Sequence, residues 1–254
     1  MNTPVNRFKR ALRERQQIGL FSTIGSNVLM ELFSGCGFDW ILIDTEHSPN
    51  EMPDVIAQLQ ALSASTVSPI VRPAWSDMIL IKRLLDAGAQ TLLIPSVQSA
   101  AEAEMAVSYT RYPPQGVRGV SGSSRAANFG LNSSYLASAQ NELCIIVQIE
   151  TIEGMKNLEQ IAAVDGVDAV FIGPADLAAS MGHIGNAQHT EVQAAIEDGF
   201  RRLRAIGKPA GYLTLNEAEA QKRLAEGVEM VGIATDTSII TRSAVALTGR
   251  LAPR

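Results

Sequence analysis

Residues 143–163 read LCIIVQIETIEGMKNLEQIAA. The first part is a β-rich apolar run that closes with an amide and an acid at alternate positions, Gln148 and Glu150. The second part changes to apolar residues at i, i+3 and i+4 spacing. The first pattern is that of a strand and the second that of an amphipathic helix. A strand followed by a helix is the unit from which parallel sheets are built, since a parallel neighbour needs a crossover to bring the chain back.

The same alternation extends to both ends of the chain. Strands are expected at 19–24, 40–44, 69–73, 91–95, 143–150, 169–173, 210–214 and 229–233, and helices at 27–34, 52–63, 78–86, 100–110, 151–163, 191–206, 216–225 and 236–247. Gly88, Gly207 and Gly227 follow their helices as terminating glycines do, and Ser76 and Asn216 stand where N-caps belong. Eight strand–helix units predict an α/β fold of the (β/α)8 TIM-barrel type, and no Pro/Ser linker divides residues 1–254 into more than one domain. The segment 111–132, rich in Gly, Ser and Arg, is longer than one connection needs. It is expected to be a functional loop at the C-terminal end of the barrel, where active sites are built.

Composition narrows the partners. The chain has 254 residues, 46% hydrophobic and 19% charged, with a net charge of −5; its mean hydropathy is +0.09 and its pI about 5.3. That balance offers no basic footprint for nucleic acid or an anionic membrane, and no apolar run is long enough to span a bilayer. A soluble, cytoplasmic protein acting on small molecules is expected. The basic cluster Arg7, Lys9, Arg10, Arg13 and Arg15 could be a transit peptide or an RNA-binding arm. Its interleaved Phe8, Leu12 and Ile18 favour a short amphipathic helix that closes the bottom of the domain. Cys36 and Cys144 lie in apolar sequence without a CxxC partner, as reduced, buried thiols do.

In a barrel the informative polar residues sit at the carboxyl ends of strands. Asp44, Glu46 and His47 follow the second strand, Arg72 ends the third, Gln148 and Glu150 end the fifth, and Asp176 follows the sixth. Glu150 and Asp176 on neighbouring strands could share a divalent cation, Mg²⁺, Mn²⁺ or Co²⁺, in an oxygen-rich site. A salt bridge from Glu150 to Arg72 or Arg125 is the alternative. The segment Gly173-Pro174-Ala175-Asp176 starts a helix and offers the free N–H groups of Ala175 and Asp176 to a substrate carboxylate; otherwise Asp176 simply caps that helix. Asp44 could orient His47 as a base. Arg72, in a buried-looking run, needs a carboxylate of the protein or of a ligand. His183 and His189 read as surface or supporting residues.

The five lysines, Lys9, Lys82, Lys156, Lys208 and Lys222, fall on expected helices or a helix-to-strand turn, so none is placed for a Schiff base. No phosphate loop, nucleophile elbow or Cys–His pair is present.

Taken in order, GFDWILIDTEHSPN (37–50), VRPAW (71–75), LLDAGAQTLLIPSVQ (84–98), RYPPQGVRGV (111–120), VQIET (147–151), VDAVFIGPADLAASMG (167–182) and GNAQHTEVQ (185–193) resemble the HpcH/HpaI family of metal-dependent pyruvate aldolases. The resemblance runs from about residue 19 to residue 240. It implies a (β/α)8 barrel whose C-terminal helix is exchanged between subunits, assembled as a homo-hexamer, a trimer of dimers. It implies Glu150 and Asp176 as metal ligands with Gln148 beside them, His47 and Asp44 as the base pair, and Arg72 on the keto oxygen. The backbone of Ala175 and Asp176 would hold the carboxylate. The implied reaction interconverts a 4-hydroxy-2-keto acid with a 2-keto acid and an aldehyde through a metal-stabilised enolate. Thr45 stands where some relatives have Gly, and 121–130 departs from several members, which leaves the aldehyde open. Rival readings are an acyl-CoA lyase, for which no basic groove is apparent, and a non-catalytic metabolite-binding barrel.

Overall fold

A computed structural model describes residues 3–251. The chain begins with α1 (Arg7–Ala11), then alternates β1 (Gln17–Ser22), α2 (Asn27–Ser34), β2 (Trp40–Asp44), α3 (Met52–Leu62), β3 (Ser68–Arg72), α4 (Met78–Asp86), β4 (Thr91–Ile94) and α5 (Ala100–Thr110). After two irregular 3₁₀ segments around the short α6 (Tyr135–Ser138) come β5 (Cys144–Ile149), α7 (Ile152–Lys156), α8 (Leu158–Ala162), β6 (Ala169–Ile172) and α9 (Pro174–Ser180). The chain closes with α10 (Thr190–Ala205), β7 (Ala210–Leu213), α11 (Glu217–Ala225), β8 (Met230–Thr235) and α12 (Asp236–Leu251). The strands pair in sequence order, all parallel, and β8 returns to β1 to close the barrel. The expected (β/α)8 barrel is therefore what the chain forms.

Alternation along each strand decides what fills the barrel. Trp40 and Leu42, Ile70, Cys144 and Ile146, and Ala169 and Phe171 point inward with Phe21, Leu93 and Met230 into one interior cluster. Phe8 and Leu12 belong to the same cluster, so the N-terminal helix plugs the bottom as expected. Ile41 and Ile43 and their counterparts point outward, where the helices cover them. Large inward rings need small neighbours: a Cβ on Gly19 would lie 2.0 Å from the Trp40 ring. Continuing each inward row one step past the apolar layer gives Asp44, Arg72 and Gln148 at the C-terminal mouth, and a second step beyond Ile146 gives Glu150.

Gly88, Gly207 and Gly227 adopt positive φ of +103°, +65° and +90°, as terminating glycines do, and Asn216 caps α11. Three expectations about these elements are corrected. The cap of α4 is Asp77 and not Ser76: its carboxylate accepts the N–H groups of Ile79 and Leu80 at 2.8 and 3.0 Å. The single helix expected at 151–163 breaks into α7 and α8 at Asn157, whose side chain donates to the Gln98 carbonyl at 2.8 Å. Cys36 is exposed just past the end of α2; Cys144 alone is buried.

The segment 111–132 lies at the opposite end from the mouth. It follows α5, a helix that has already brought the chain back to the N-terminal face. Arg125 donates to the Ala87 carbonyl at 2.7 Å, and residues 125–135 wall a cavity of about 340 Å³ with Gly88 and Gln90. The alternative salt bridge from Glu150 to Arg125 is excluded by the same placement.

Candidate active site at the barrel mouth

The mouth is organised around two carboxylates and one guanidinium. Asp44 and Arg72 are cross-strand partners in the β2–β3 register. Arg72 Nε and Nη2 donate to the two Asp44 oxygens at 2.8 and 2.7 Å, a forked pair with Asp44 1% and Arg72 7% exposed. Arg72 Nη1 lies 2.8 Å from Glu46 Oε2 and 3.5 Å from Gln148 Oε1. The approach to Glu46 is a charge contact without hydrogen-bond direction, since that oxygen has no well-aligned donor. Beneath, the Phe21 ring faces the guanidinium at 5.5 Å. Burial lowers the Arg72 pKa, but hydrogen bonding and charge from Asp44, with Glu46 and Glu150, more than restore it and leave it raised.

This pairing corrects the expected orientation of His47 by Asp44. Both Asp44 oxygens are committed to Arg72, and His47 projects outward with 64% of its side chain exposed. Its nearest acid is Glu46, 3.8 Å from Nε2. Glu46 is the residue that the sequence reading underused. Its pKa is raised mainly by burial; Arg72 pulls it back, and the charges of Glu150 and Asp44 push it further up. The loop that carries these side chains is fixed from within: the Asp44 carbonyl accepts from Ser48 Oγ and from Asn50 Nδ2, and Gln58 donates to Asn50 at 2.9 Å.

Glu150 stands on the other side, 4% exposed. Its Oε1 accepts from the Ser96 N–H at 2.9 Å and the Ser96 hydroxyl at 3.1 Å, and its Oε2 accepts from Gln148 Nε2. Ser96 reaches this position at φ +57°, a strained conformation for a residue with a Cβ. All these donors are neutral. The Glu150 pKa is raised chiefly by burial and then by the charge of Asp176, against the hydrogen bonds of Ser96 and Gln148.

Gly173 and Pro174 begin α9, with Gly173 as N-cap and Pro174 in its first turn. The first intrahelical bond runs from Leu177 N–H to the Gly173 carbonyl, so the N–H groups of Ala175 and Asp176 precede it. Asp176 does not cap the helix, for α9 has no side-chain cap bond; its side chain is exposed. No ion pair joins Glu150 or Asp176 to a cation among the described residues. Arg72, the cation at the mouth, is engaged by Asp44 and Glu46. Two neighbouring acids without a cation, one buried and held by neutral donors, are a donor set that fits a hard divalent ion.

The lysines stay away from this site. Lys9 and Lys208 donate to the Leu143 and Val167 carbonyls at the N-terminal side of the sheet, and Lys82, Lys156 and Lys222 lie on α4, α7 and α11. His183 and His189, read from sequence as surface or supporting residues, converge with Glu191 between α9 and α10. No helix among the described residues is long and apolar enough to cross a membrane.

Comparison with known proteins gives the family. Residues 17–243 match the HpcH/HpaI aldolase/citrate lyase family. The chain is 52% identical over 247 residues to the 4-hydroxy-2-oxo-heptane-1,7-dioate aldolase of Klebsiella pneumoniae, covering 96% of this chain and 93% of that protein. It is 50% identical over 252 residues to the hydroxypyruvate/pyruvate aldolase of Pseudomonas aeruginosa, covering 98% and 94%. A crystal structure of an HpcH/HpaI aldolase/citrate lyase family protein from Burkholderia cenocepacia superposes with a TM-score of 0.95 at 36% identity, covering 98% of this chain and all of that one. The chain belongs to the HpcH/HpaI aldolase/citrate lyase family of enzymes.

Proposed function

We propose that the protein is a divalent-metal-dependent aldolase. It reversibly cleaves 4-hydroxy-2-keto acids into pyruvate, or a related 2-keto acid such as hydroxypyruvate, and an aldehyde. The observation that carries this reading is the pair Glu150 and Asp176, close enough for one charge to raise the other's pKa and without a cationic partner among the described residues. The names of relatives at 50% identity and above support the substrate class.

Glu150 and Asp176 would hold Mg²⁺, Mn²⁺ or Co²⁺, which supplies Lewis acidity to the keto oxygen as enolate charge develops during carbon–carbon cleavage. Gln148 holds Glu150 in place. Arg72, fixed by Asp44, directs a guanidinium edge toward the keto oxygen, where negative charge grows. The N–H groups of Ala175 and Asp176, at Gly173-Pro174, receive the substrate carboxylate. His47 removes the proton of the 4-hydroxyl in cleavage and returns it in condensation, and Glu46, not Asp44, is the acid beside its ring. In this reading residues 1–254 act as one domain within a homo-hexamer, a trimer of dimers, whose subunits exchange α12. The exposed Ile240, Val245, Leu247 and Leu251 of that helix support a partner for it.

The test is release of pyruvate from 4-hydroxy-2-keto acids with and without EDTA, and after borohydride treatment. Activity lost to EDTA and restored by Mn²⁺ or Mg²⁺ is expected, with His47→Ala losing turnover by roughly 10²–10⁴-fold and little Mn²⁺ affinity. Borohydride inactivation in the presence of pyruvate, or cleavage confined to acyl-CoA thioesters, would overturn the proposal.

A further inference from the structure

The connection from α9 to α10 gathers three metal-ligating side chains distinct from the mouth acids. Gly182 and Gly185, at φ +84° and +75°, turn the chain back after α9. His189 then caps α10 by accepting the Glu191 N–H on Nδ1 at 3.3 Å. His183 comes from the other side of the turn: its Nε2 lies 3.0 Å from Glu191 Oε2, and its ring stacks on His189 with centroids 3.6 Å apart and planes 15° from parallel. One ligand atom from each of the three lies within 4.8 Å of the others.

The backbone beneath is anchored. Gln188 donates to Glu219 at 2.7 Å, and Gln193 donates to the Ala187 carbonyl at 2.8 Å. Glu219 is itself held by Tyr212 and Thr214 at 2.7 and 2.8 Å. The cluster is also open to solvent, with the Glu191 side chain 70% and the His183 side chain 23% exposed.

We propose that His183, His189 and Glu191 form a second metal site, one that takes a borderline transition-metal ion such as Zn²⁺. Two imidazoles and a carboxylate suit Zn²⁺, Ni²⁺ or Co²⁺, whereas the all-oxygen pair at the mouth suits harder ions. The separation of His183 Nε2 and Glu191 Oε2 fits: bonds of about 2.1 Å place two ligands of one ion roughly 3.0–3.4 Å apart for angles between about 90° and 110°.

The stack is the arrangement that binding must alter. Lone pairs lie in the ring planes, so two parallel rings do not aim at one point. The rings splay as the ion enters, and the 3.3 Å cap bond to His189 is the weak contact that yields. The ion then ties the segment after α9 to the first turn of α10. The proposal does not depend on the aldolase reading, because none of the three residues belongs to the machinery at the mouth.

The experiment is Zn²⁺ titration of untagged full-length Glu150→Gln, which weakens the mouth site, followed by calorimetry and histidine long-range ¹⁵N spectra. The chain has three histidines, so each ring signal can be assigned. One Zn²⁺ per chain is expected, with His183 and His189 shifting and His47 unmoved. In the same background, His183→Ala should weaken Zn²⁺ at least tenfold. Zn²⁺ that moves only His47 or no histidine overturns the site, as does equal affinity in a folded His183→Ala protein. The spectra of the parent protein decide the matter even if that variant fails to fold.

Discussion

A Cβ on Gly173 would lie 2.6 Å from Glu150 Oε2 and 2.9 Å from Gln148 Nε2, closer than side chains settle. Gly173→Ala should therefore displace the Glu150 carboxylate while the barrel still closes. We expect Mn²⁺ affinity to fall at least tenfold with a folded circular dichroism spectrum, and unchanged affinity would show that Glu150 is not a ligand. Glu150 also ties stability to pH. Its carboxyl is raised above the ordinary 4.5 by burial and by Asp176, so in the metal-free protein the folded state binds the more protons. Stability then falls as pH rises from about 4.5 through the raised value. Glu46 acts in the same direction. Urea midpoints of chelator-treated protein should drop more steeply with pH across this window in the wild type than in Glu150→Gln, and equal slopes would refute the assignment. Much of this site was legible: alternation along VQIE put Gln148 and Glu150 on one face, and the burial of Arg72 demanded a carboxylate. The partner of Asp44 was misjudged because proximity in sequence favoured His47. In the barrel, register sets Asp44 beside Arg72, and one more inward step along the chain reaches Glu46.

At the level of elements, strand positions were legible because each is a short apolar run between polar residues. Helix ends were less so. Ser76 and Asp77 are both good caps by type, and propensity cannot choose between neighbours; the contacts to Ile79 and Leu80 show that Asp77 does the capping. Asp77→Ala should cost about 1 kcal/mol in chemical denaturation, whereas Ser76→Ala should stay within about 0.5 kcal/mol. Equal losses would contradict the cap. The break between α7 and α8 was hidden for a related reason: Asn157 takes its decisive contact from Gln98, 59 residues away in the chain. The segment 111–132 was misplaced through a counting error of a physical kind. In a strand–helix repeat, whatever follows the helix lies at the N-terminal face, so length and composition could not put this loop at the mouth.

The molecule as a whole is a barrel whose apolar layers end, at one rim, in a ring of acids with a single committed guanidinium. Closure was legible from the eight units, and lysine placement already spoke against imine chemistry; Lys9 and Lys208 bind carbonyls at the far end. Which aldehyde is accepted was not legible, because no strand-end motif fixes that part of the site. The pyruvate end can be tested without knowing the aldehyde. The direct measurement is exchange of pyruvate methyl protons in D₂O, followed by proton NMR. The account predicts enzyme-dependent exchange with Mg²⁺ or Mn²⁺, abolished by EDTA, restored on returning the metal, and lost in Glu150→Gln. Exchange that persists at full rate in EDTA, or in Glu150→Gln, would contradict it.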